Sequence, residues 1–510
     1  MSTWPAPGGA QVRVEGSPCS FAFALRARRS KGRRVGELLI LGVLWLVALP
    51  VWGAGIAAPV VGGSDAGNLR ARAAQVWWNP AAMALAEGAQ LSVSGHLVVG
   101  RIAHERERRA LYQEADGFVF ALPVPEDAVD PTRSGWAPPA VATPLALSPA
   151  LFYMAPVGAG AWRWGAGLHT PYAALASYPA MGAQRYAVRE ATLLTGYGTV
   201  AIAYAPSPRW SVGAGVSGVV GFAELSRVQD FAALVDVGQA LANPPIAQPN
   251  ALGPDAPPAL RELDVLSRPL SFHRGIATAL TFHAGVQAAV TRDLRVGTTY
   301  HHGAPLNFRG RFRLNLDDPF FTRDLASQGL QYPALVTGDA SLSMALPAQL
   351  RQTAMWALGQ GWSLDAELAW VRWSAVRAYD VRARSPALAQ PEVGLGETTR
   401  VRIERGWRDG WQGELGVHRE LPGAQRWHVG VGWHQGVVPT ATMDAASPDG
   451  PRVVLRGGVS LPVGEGQRVI VDGVLQQVLP QRVRDSRYDL ANGRYALTLA
   501  AIGGGWEWSW

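Results

Sequence analysis

The chain has 510 residues, a formal net charge of +7 and 48% hydrophobic residues. Residues 1–57 hold seven basic against two acidic residues, so the rest of the chain is close to neutral, which removes the case for nucleic-acid binding. A helical membrane protein needs several apolar runs of about 20 residues, and the only long run here lies near the amino terminus. These properties leave either several soluble domains or one large barrel.

Residues 1–57 have the pattern of a secretory signal with an unusually long basic region. The basic residues end at Arg34, an apolar run follows over residues 38–50, and small residues come next. This run of about 13 residues is short for a bilayer span, which favours cleavage over anchoring. Cys19, the single cysteine, lies upstream of it, so we expect the mature chain to lack disulfides and thiolate sites.

Residues 58–89 are rich in glycine and alanine and show no strand-like alternation. They contain the run Trp77, Trp78, Asn79, Pro80 and Ala81. Asn-Pro favours turn initiation, so one interpretation is a simple turn. The other is a plug, or hatch, because the lumen of a large barrel has to be filled. The two tryptophans would then either line an apolar ligand pocket or pack the hatch against the wall.

Residues 90–510 repeat segments of period-2 alternation, the signature of strands with two unlike faces. Several strands carry tryptophans near their ends on the apolar face: Trp362 and Trp370, Trp427 and Trp433, and Trp506, Trp508 and Trp510. Aromatic girdles of this kind mark the two interfaces of a transmembrane barrel. A soluble sandwich would alternate too, but it would bury its tryptophans. We therefore predict an all-β fold, an antiparallel transmembrane barrel of about fourteen strands, in which the last strand pairs with residues 91–102.

Two connections are long, near residues 223–270 and 314–344, and a short helix is predicted within the first at residues 231–242. Loops of this length are usually functional or disordered. In bacterial barrels the long loops face outward and the short turns face the periplasm. The short turns at residues 207–209 and 291–293 therefore predict the periplasmic end.

The order of several stretches resembles FadL-type outer-membrane transporters. These stretches are residues 79–81 and 87–91, then 165–172, 200–215, 294–310 and 362–374. The resemblance implies a barrel plugged by an amino-terminal hatch and a monomer surrounded by outer-membrane lipids of a Gram-negative bacterium. It implies passive uptake of hydrophobic compounds, either long-chain fatty acids or aromatic hydrocarbons, captured at the extracellular loops and passed along the hatch.

The same resemblance implies sideways release into the membrane through a kink in the third strand, residues 162–172. Gly165, Gly167 and Pro171 lie there, and such residues weaken or break ladder pairing. The plain alternative is that the glycines relieve crowding in the wall.

Enzyme motifs are missing from the sequence. The text match at Gly213, Gly215 and Gly218 to a dinucleotide fingerprint lies inside an alternating strand with no helix after it. His301 and His302 form a pair at a strand end, at the barrel rim, without a ligand partner placed by spacing. We therefore predict no enzyme, no cofactor and no metal. The alternative function is a general porin, whose charged lumen would use Asp365, Glu367, Arg402, Glu404 and Glu414.

Overall fold

The computed structural model describes residues 56–108, 135–158, 160–230, 267–324, 331–389, 396–486 and 491–510. The signal predicted for residues 1–57 and the helix predicted for residues 231–242 lie almost entirely outside these ranges. Among the described residues, no helix combines the length and the apolar character needed to cross a membrane.

Alternating sequence forms strands along the described ranges from residue 90 onward, and these strands join one sheet. Its strands are β1 (Gln90–Arg108), β2 (Gly135–Trp136), β3 (Ala140–Ala142), β4 (Leu145–Pro156), β5 (Trp162–His169), β6 (Ala173–Ser177), β7 (Glu190–Ser207), β8 (Trp210–Asp230), β9 (Ser267–Ala289), β10 (Leu294–His301), β11 (Ala304–Asn315), β12 (Leu335–Leu346), β13 (Gln349–Gly359), β14 (Trp362–Val371), β15 (Ala378–Arg384), β16 (Thr398–Glu404), β17 (Gly410–Glu420), β18 (Arg426–His434), β19 (Arg452–Gly464), β20 (Gln467–Val483) and β21 (Gly493–Ser509).

Several of the numbered strands are segments of one longer strand that is interrupted along its length. When such segments are counted together, the sheet is a closed 14-strand antiparallel barrel. Closure occurs where β21 pairs with β1, from Gln90 opposite Ser509 to Arg106 opposite Gly493. The predicted fold class and the predicted seal between the last and first strands are both confirmed. Closure leaves no free edge at this seam, so the backbone groups of β21 and β1 are paired there as a membrane requires.

The two faces of the wall follow the alternation. Leu280 and Leu415 point outward and are well exposed, while the neighbouring Thr281 and Glu414 point into the lumen. Trp506, Trp508 and Trp510 are about half exposed at the carboxyl-terminal end of β21, as expected for rings at a membrane interface.

Short turns gather at one end of the barrel, the short-turn end, which also holds the end of the β1–β21 seam where Gln90 pairs with Ser509. Longer connections gather at the opposite, long-loop end. Two of these connections are shorter than the predicted ranges 223–270 and 314–344. The first is shorter because β8 continues to Asp230 and β9 begins at Ser267, and the second because β11 continues to Asn315 and β12 begins at Leu335. Alternation persists into these stretches. A short helix α3 (Pro319–Thr322) lies between β11 and β12.

The hatch, residues 56–89, lies inside the barrel and carries two single-turn helices, α1 (Gln75–Trp78) and α2 (Pro80–Met83). Ile56, Val76, Ala81 and Met83 are fully buried. Many apolar side chains of the hatch belong to the hydrophobic core that also includes inward side chains of the wall. The hatch thus fills the lumen, as the plug interpretation predicts.

Candidate functional site: the hatch and the wall gap beside it

The predicted hatch residues lie at the junction of α1 and α2. Asn79 is the N-cap of α2: its side-chain oxygen accepts a hydrogen bond from the Ala81 amide at 3.1 Å, and Pro80 occupies the first helical position. Both are favoured helix-start features. Asn79 and Pro80 therefore start α2, within a segment that lies in the lumen.

Trp77 points into a cluster of aromatic and histidine rings on the wall. Its ring centroid lies 4.7 Å from that of His169, 4.4 Å from that of His301 and 5.4 Å from that of Tyr197. His283 stacks on His301 and donates from Nε2 to the Val76 carbonyl at 2.8 Å. His301 is buried in this cluster rather than placed at the barrel rim, because β10 stops there while β11 continues the wall. The rim prediction was wrong for His301.

Trp78 lies beside charged groups rather than in the aromatic and histidine cluster. Its indole nitrogen donates to the Val61 carbonyl at 3.0 Å, and the Arg351 guanidinium lies 4.7 Å from its ring centroid. Arg351 is in turn paired with Glu367. The two neighbouring tryptophans therefore contact adjacent parts of the wall, because β13, which carries Arg351, pairs with β10, which carries His301.

Glycines in the wall let the hatch approach closely. A methyl group on Gly213 would lie 2.6 Å from the Ala81 nitrogen, closer than real contacts allow. One on Gly165 would collide with Val76, and one on Gly167 would collide with Phe152. The second interpretation of Gly165 and Gly167, relief of crowding, matches this geometry, since both lie in the paired part of β5.

The opposite side of the hatch is held by ion pairs. Arg72 donates to Asp65 at 2.6 Å and to Glu507 of β21 at 2.8 Å, with all three side chains largely buried. Burial opposes charge on Asp65 and Arg72, but their mutual attraction outweighs it. The pKa of Asp65 therefore lies well below its usual range, and the pKa of Arg72 lies above its own.

Ser64 adds direct polar contacts between the hatch and three further strands, β18, β19 and β20. Its amide donates to Asp472 of β20, which also accepts from His96 Nε2 of β1 at 2.6 Å. Its hydroxyl lies 2.7 Å from His428 Nε2 of β18. Arg456 of β19 donates to the Ser64 carbonyl at 3.2 Å. Sequence spacing could not indicate these contacts, since Ser64 is 408 residues from Asp472.

The third strand is broken at the position that the resemblance indicates. β5 ends at His169 and β6 begins at Ala173, and Pro171 has no amide hydrogen to donate to a ladder. The broken stretch instead binds the first hatch residues: the Ala58 amide donates to the Pro171 carbonyl at 2.9 Å, and Ala57 forms a bridge with Tyr172.

A gap in the wall lies next to this break. Pairing of β4 with β5 stops at Ala150 opposite His169. Beyond it β6 pairs with β7, and within the described ranges residues 145–149 of β4 have no ladder partner on that side. The gap opens into a mainly apolar cavity of about 80 Å³, whose lining includes Ala57, Pro59, Leu147, Leu175 and Leu194. Leu147 is 67% exposed on the outer surface. The cavity therefore joins the outer apolar surface to the start of the hatch.

A larger cavity of about 130 Å³ lies on the inner side of the same hatch residues. Both cavities are lined by residues 57–59, which stand between them. Trp77, Trp78, Val454 and Val474 supply apolar surface, and the buried pairs Arg351–Glu367 and Arg456–Glu414 supply charge.

Residues 435–451, between β18 and β19, fold inward at the long-loop end, which sequence analysis missed. Residues 442–450 are all buried. Asp444 pairs with Arg405 at 2.9 Å, and Asp449 accepts from the Val437 amide at 2.6 Å. The segment has neither helical nor strand periodicity, so only its buried aspartates mark it as an ordered structure.

Residues 55–477 match the model of the family described as outer membrane protein transport protein (OMPP1/FadL/TodX). No curated relative matches. Similar solved structures include a Pseudomonas aeruginosa FadL homologue, with 18% identity, 91% of this chain and 99% of the other covered, and a TM-score of 0.68.

Two toluene transporters are also similar. For TodX of P. putida the identity is 15% and the TM-score 0.57, and for TbuX of Ralstonia pickettii they are 16% and 0.56. Each comparison covers 86% of this chain and 94% of the other. At these identities the structures show a shared fold. The family match shows that the chain belongs to the OMPP1/FadL/TodX family of outer-membrane transport proteins, and this family consists of channels.

Proposed function

We propose that this outer-membrane channel takes up hydrophobic compounds passively and releases them sideways through the gap between β4 and β6. The compound, a long-chain fatty acid or an aromatic hydrocarbon, is captured at the long-loop end and passes the hatch. The observation that carries the proposal is the apolar wall gap, which meets the first hatch residues, Ala57–Pro59, at the break in the third strand. The protein acts as a monomer surrounded by outer-membrane lipids.

The predicted site residues have distinct roles in this proposal. Pro171 keeps the third strand open, because it cannot donate to a ladder. Gly165 and Gly167 let the wall below the gap fit closely against Val76 and Phe152. Trp77 and Trp78 fix the hatch in the lumen, and Asn79 to Ala81 set the direction of α2.

Uptake measured in cells tests this function. Cells that express the protein should accumulate radiolabelled oleate or toluene faster than cells that lack it, with both compounds supplied separately so that the preferred class is identified. Equal uptake of both compounds in the two cell types would contradict the proposal.

The alternative function is a general porin. The buried pairs of arginine and carboxylate in the lumen, such as Arg351 with Glu367, match what that function predicts. Arg402 and Glu404, expected in the same lumen, instead form an exposed pair, because β16 buries Val401 and Ile403 on its other face. The hatch that fills the lumen favours the transporter. Single-channel conductance in planar bilayers separates the two: a steady large open channel supports the porin, and little or no conductance supports the plugged transporter.

A further inference from the structure

We propose that Asp65, His418 and His428 form a binding site for one divalent transition-metal ion of the zinc class, which joins the hatch to the wall. In the part of the chain that the structure describes, one ligand atom from each residue lies within 4.8 Å of the other two. Two imidazoles and one carboxylate are a common ligand set for zinc, which then takes water as its fourth ligand.

The backbone places both histidines with little freedom. His418 of β17 and His428 of β18 are directly opposite each other in the hairpin, and their rings are stacked at 5.6 Å. Their side chains point into the lumen and are buried. Asp65 approaches this pair from the hatch, so the three residues come from three different segments.

The second nitrogen of each histidine already has an orienting partner. His418 Nε2 contacts Asp365, and His428 Nε2 lies 2.7 Å from Ser64 Oγ. Metal-binding histidines typically make such a contact through the nitrogen that does not bind the metal. In both residues this leaves Nδ1 as the ligand atom.

The two carboxylate oxygens of Asp65 also have different neighbours. Oδ1 accepts from Arg72 at 2.6 Å, while Oδ2 accepts from Asn68 Nδ2 at 3.5 Å and lies 3.9 Å from His428 Nδ1. That separation is too wide for a hydrogen bond. Two ligands of one tetrahedral zinc ion are about 3.4 Å apart, so this pair needs a shift of about half an ångström. The pairs that involve His418 lie within 4.8 Å, so they need a shift of at most about 1.4 Å.

Space and charge both allow an ion here. A cavity of about 20 Å³ is lined by all three residues, and this volume holds a single water molecule or ion. Four guanidinium groups line the cavity or contact the cluster, and four carboxylates offset their charge. Arg70 and Arg426 share Glu420, Arg72 pairs with Glu507, and Arg456 pairs with both Asp365 and Glu414.

Metal binding is measured on the full chain in detergent, without a histidine tag, after treatment with EDTA. Titration calorimetry with ZnCl₂ should give one site per chain, and CoCl₂ should give the visible absorption of tetrahedral cobalt. His428→Ala and Asp65→Asn should each abolish both signals. Ser64→Ala removes only the orienting contact and should weaken Zn²⁺ binding about 10–100-fold.

His104→Ala is the matched control, because His104 is a buried lumenal histidine stacked on Tyr495, outside the cluster. It should bind Zn²⁺ like the unaltered chain. The mobility shift of unheated protein in SDS gels reports the folded barrel, and His418→Gln replaces any variant that fails this check. No Zn²⁺ binding by the unaltered chain, or binding that persists in His428→Ala and Asp65→Asn, would overturn the proposal.

Discussion

The hatch has two sides that are held in different ways. One side, residues 64–72, contacts β14, β17–β21 and β1 through ion pairs and hydrogen bonds. The other, residues 76–84, packs against β4–β10 through Trp77, Val76 and closely approaching glycines. Apolar contacts are non-directional, whereas buried ion pairs depend strongly on geometry. The polar side therefore sets the position of the hatch, and the apolar side fills the lumen beside the wall gap.

The largest effect is expected on the polar side. Arg72→Met leaves Asp65 and Glu507 buried without their shared partner, which should cost about 3–5 kcal/mol. Hydrogen exchange of the hatch amides should accelerate accordingly. Arg402→Met is the control, because the Arg402–Glu404 pair is exposed and should contribute almost nothing. Unchanged exchange in Arg72→Met would mean that the ion pairs do not hold the hatch.

Overpacking the apolar side should have the next largest effect. Gly213→Ala places a methyl group 2.6 Å from the Ala81 nitrogen, and relief of such a clash typically costs about 1–3 kcal/mol. Gly218→Ala, on the same strand, meets no atom within 4 Å and is the matched control. The difference between the urea unfolding midpoints of Gly213→Ala and Gly218→Ala measures how closely the hatch packs against Gly213. Equal midpoints would show that the hatch moves away without cost.

Removal of the α2 cap should have a smaller effect. Asn79→Ala loses the hydrogen bond to the Ala81 amide, which should cost about 1 kcal/mol. Asp318→Ala removes an equivalent cap from α3 at the long-loop end. Hydrogen exchange of residues 81–84 should rise in the first variant only, and a rise in both would indicate a global loss of stability.

A lower pH should have the smallest of these effects, because the charges on the polar side of the hatch stay unchanged over the neutral range. Because the folded-state pKa of Asp65 is depressed, its stabilising effect is complete above the unfolded value of about 3.9 and is lost as the pH falls toward the folded-state value. We expect the difference in hatch exchange between the unaltered chain and Asp65→Asn to be constant from pH 8 to pH 5 and to shrink below about pH 4. A difference that disappears near neutral pH would contradict this assignment.

The same contrast explains what sequence could predict. Period-2 alternation and paired tryptophans identify the wall, because a strand between lipid and lumen must have two unlike faces. Lack of alternation identifies the hatch. The opposition of His418 and His428 could also have been found, since their strands flank the short turn at residues 421–425.

Contacts inside the lumen could not be predicted in this way. Ser64, Asp472 and His96 meet because the barrel closes around the hatch, and no local pattern records that closure. The wall gap combines a local signal, Pro171, with a long-range one, the end of pairing between β4 and β5. Only the first can be found in the sequence.

Uptake by a gap-filled variant tests the central claim most directly. Ala173→Trp places a large ring in the apolar cavity between β4 and β6, and Ala366→Trp places the same ring on the half-buried outer face of β14 as a control. At equal amounts of folded protein in the outer membrane, uptake of the preferred compound should fall to the level of cells without the protein in Ala173→Trp and stay unchanged in Ala366→Trp. Full uptake in Ala173→Trp would contradict release through the wall gap.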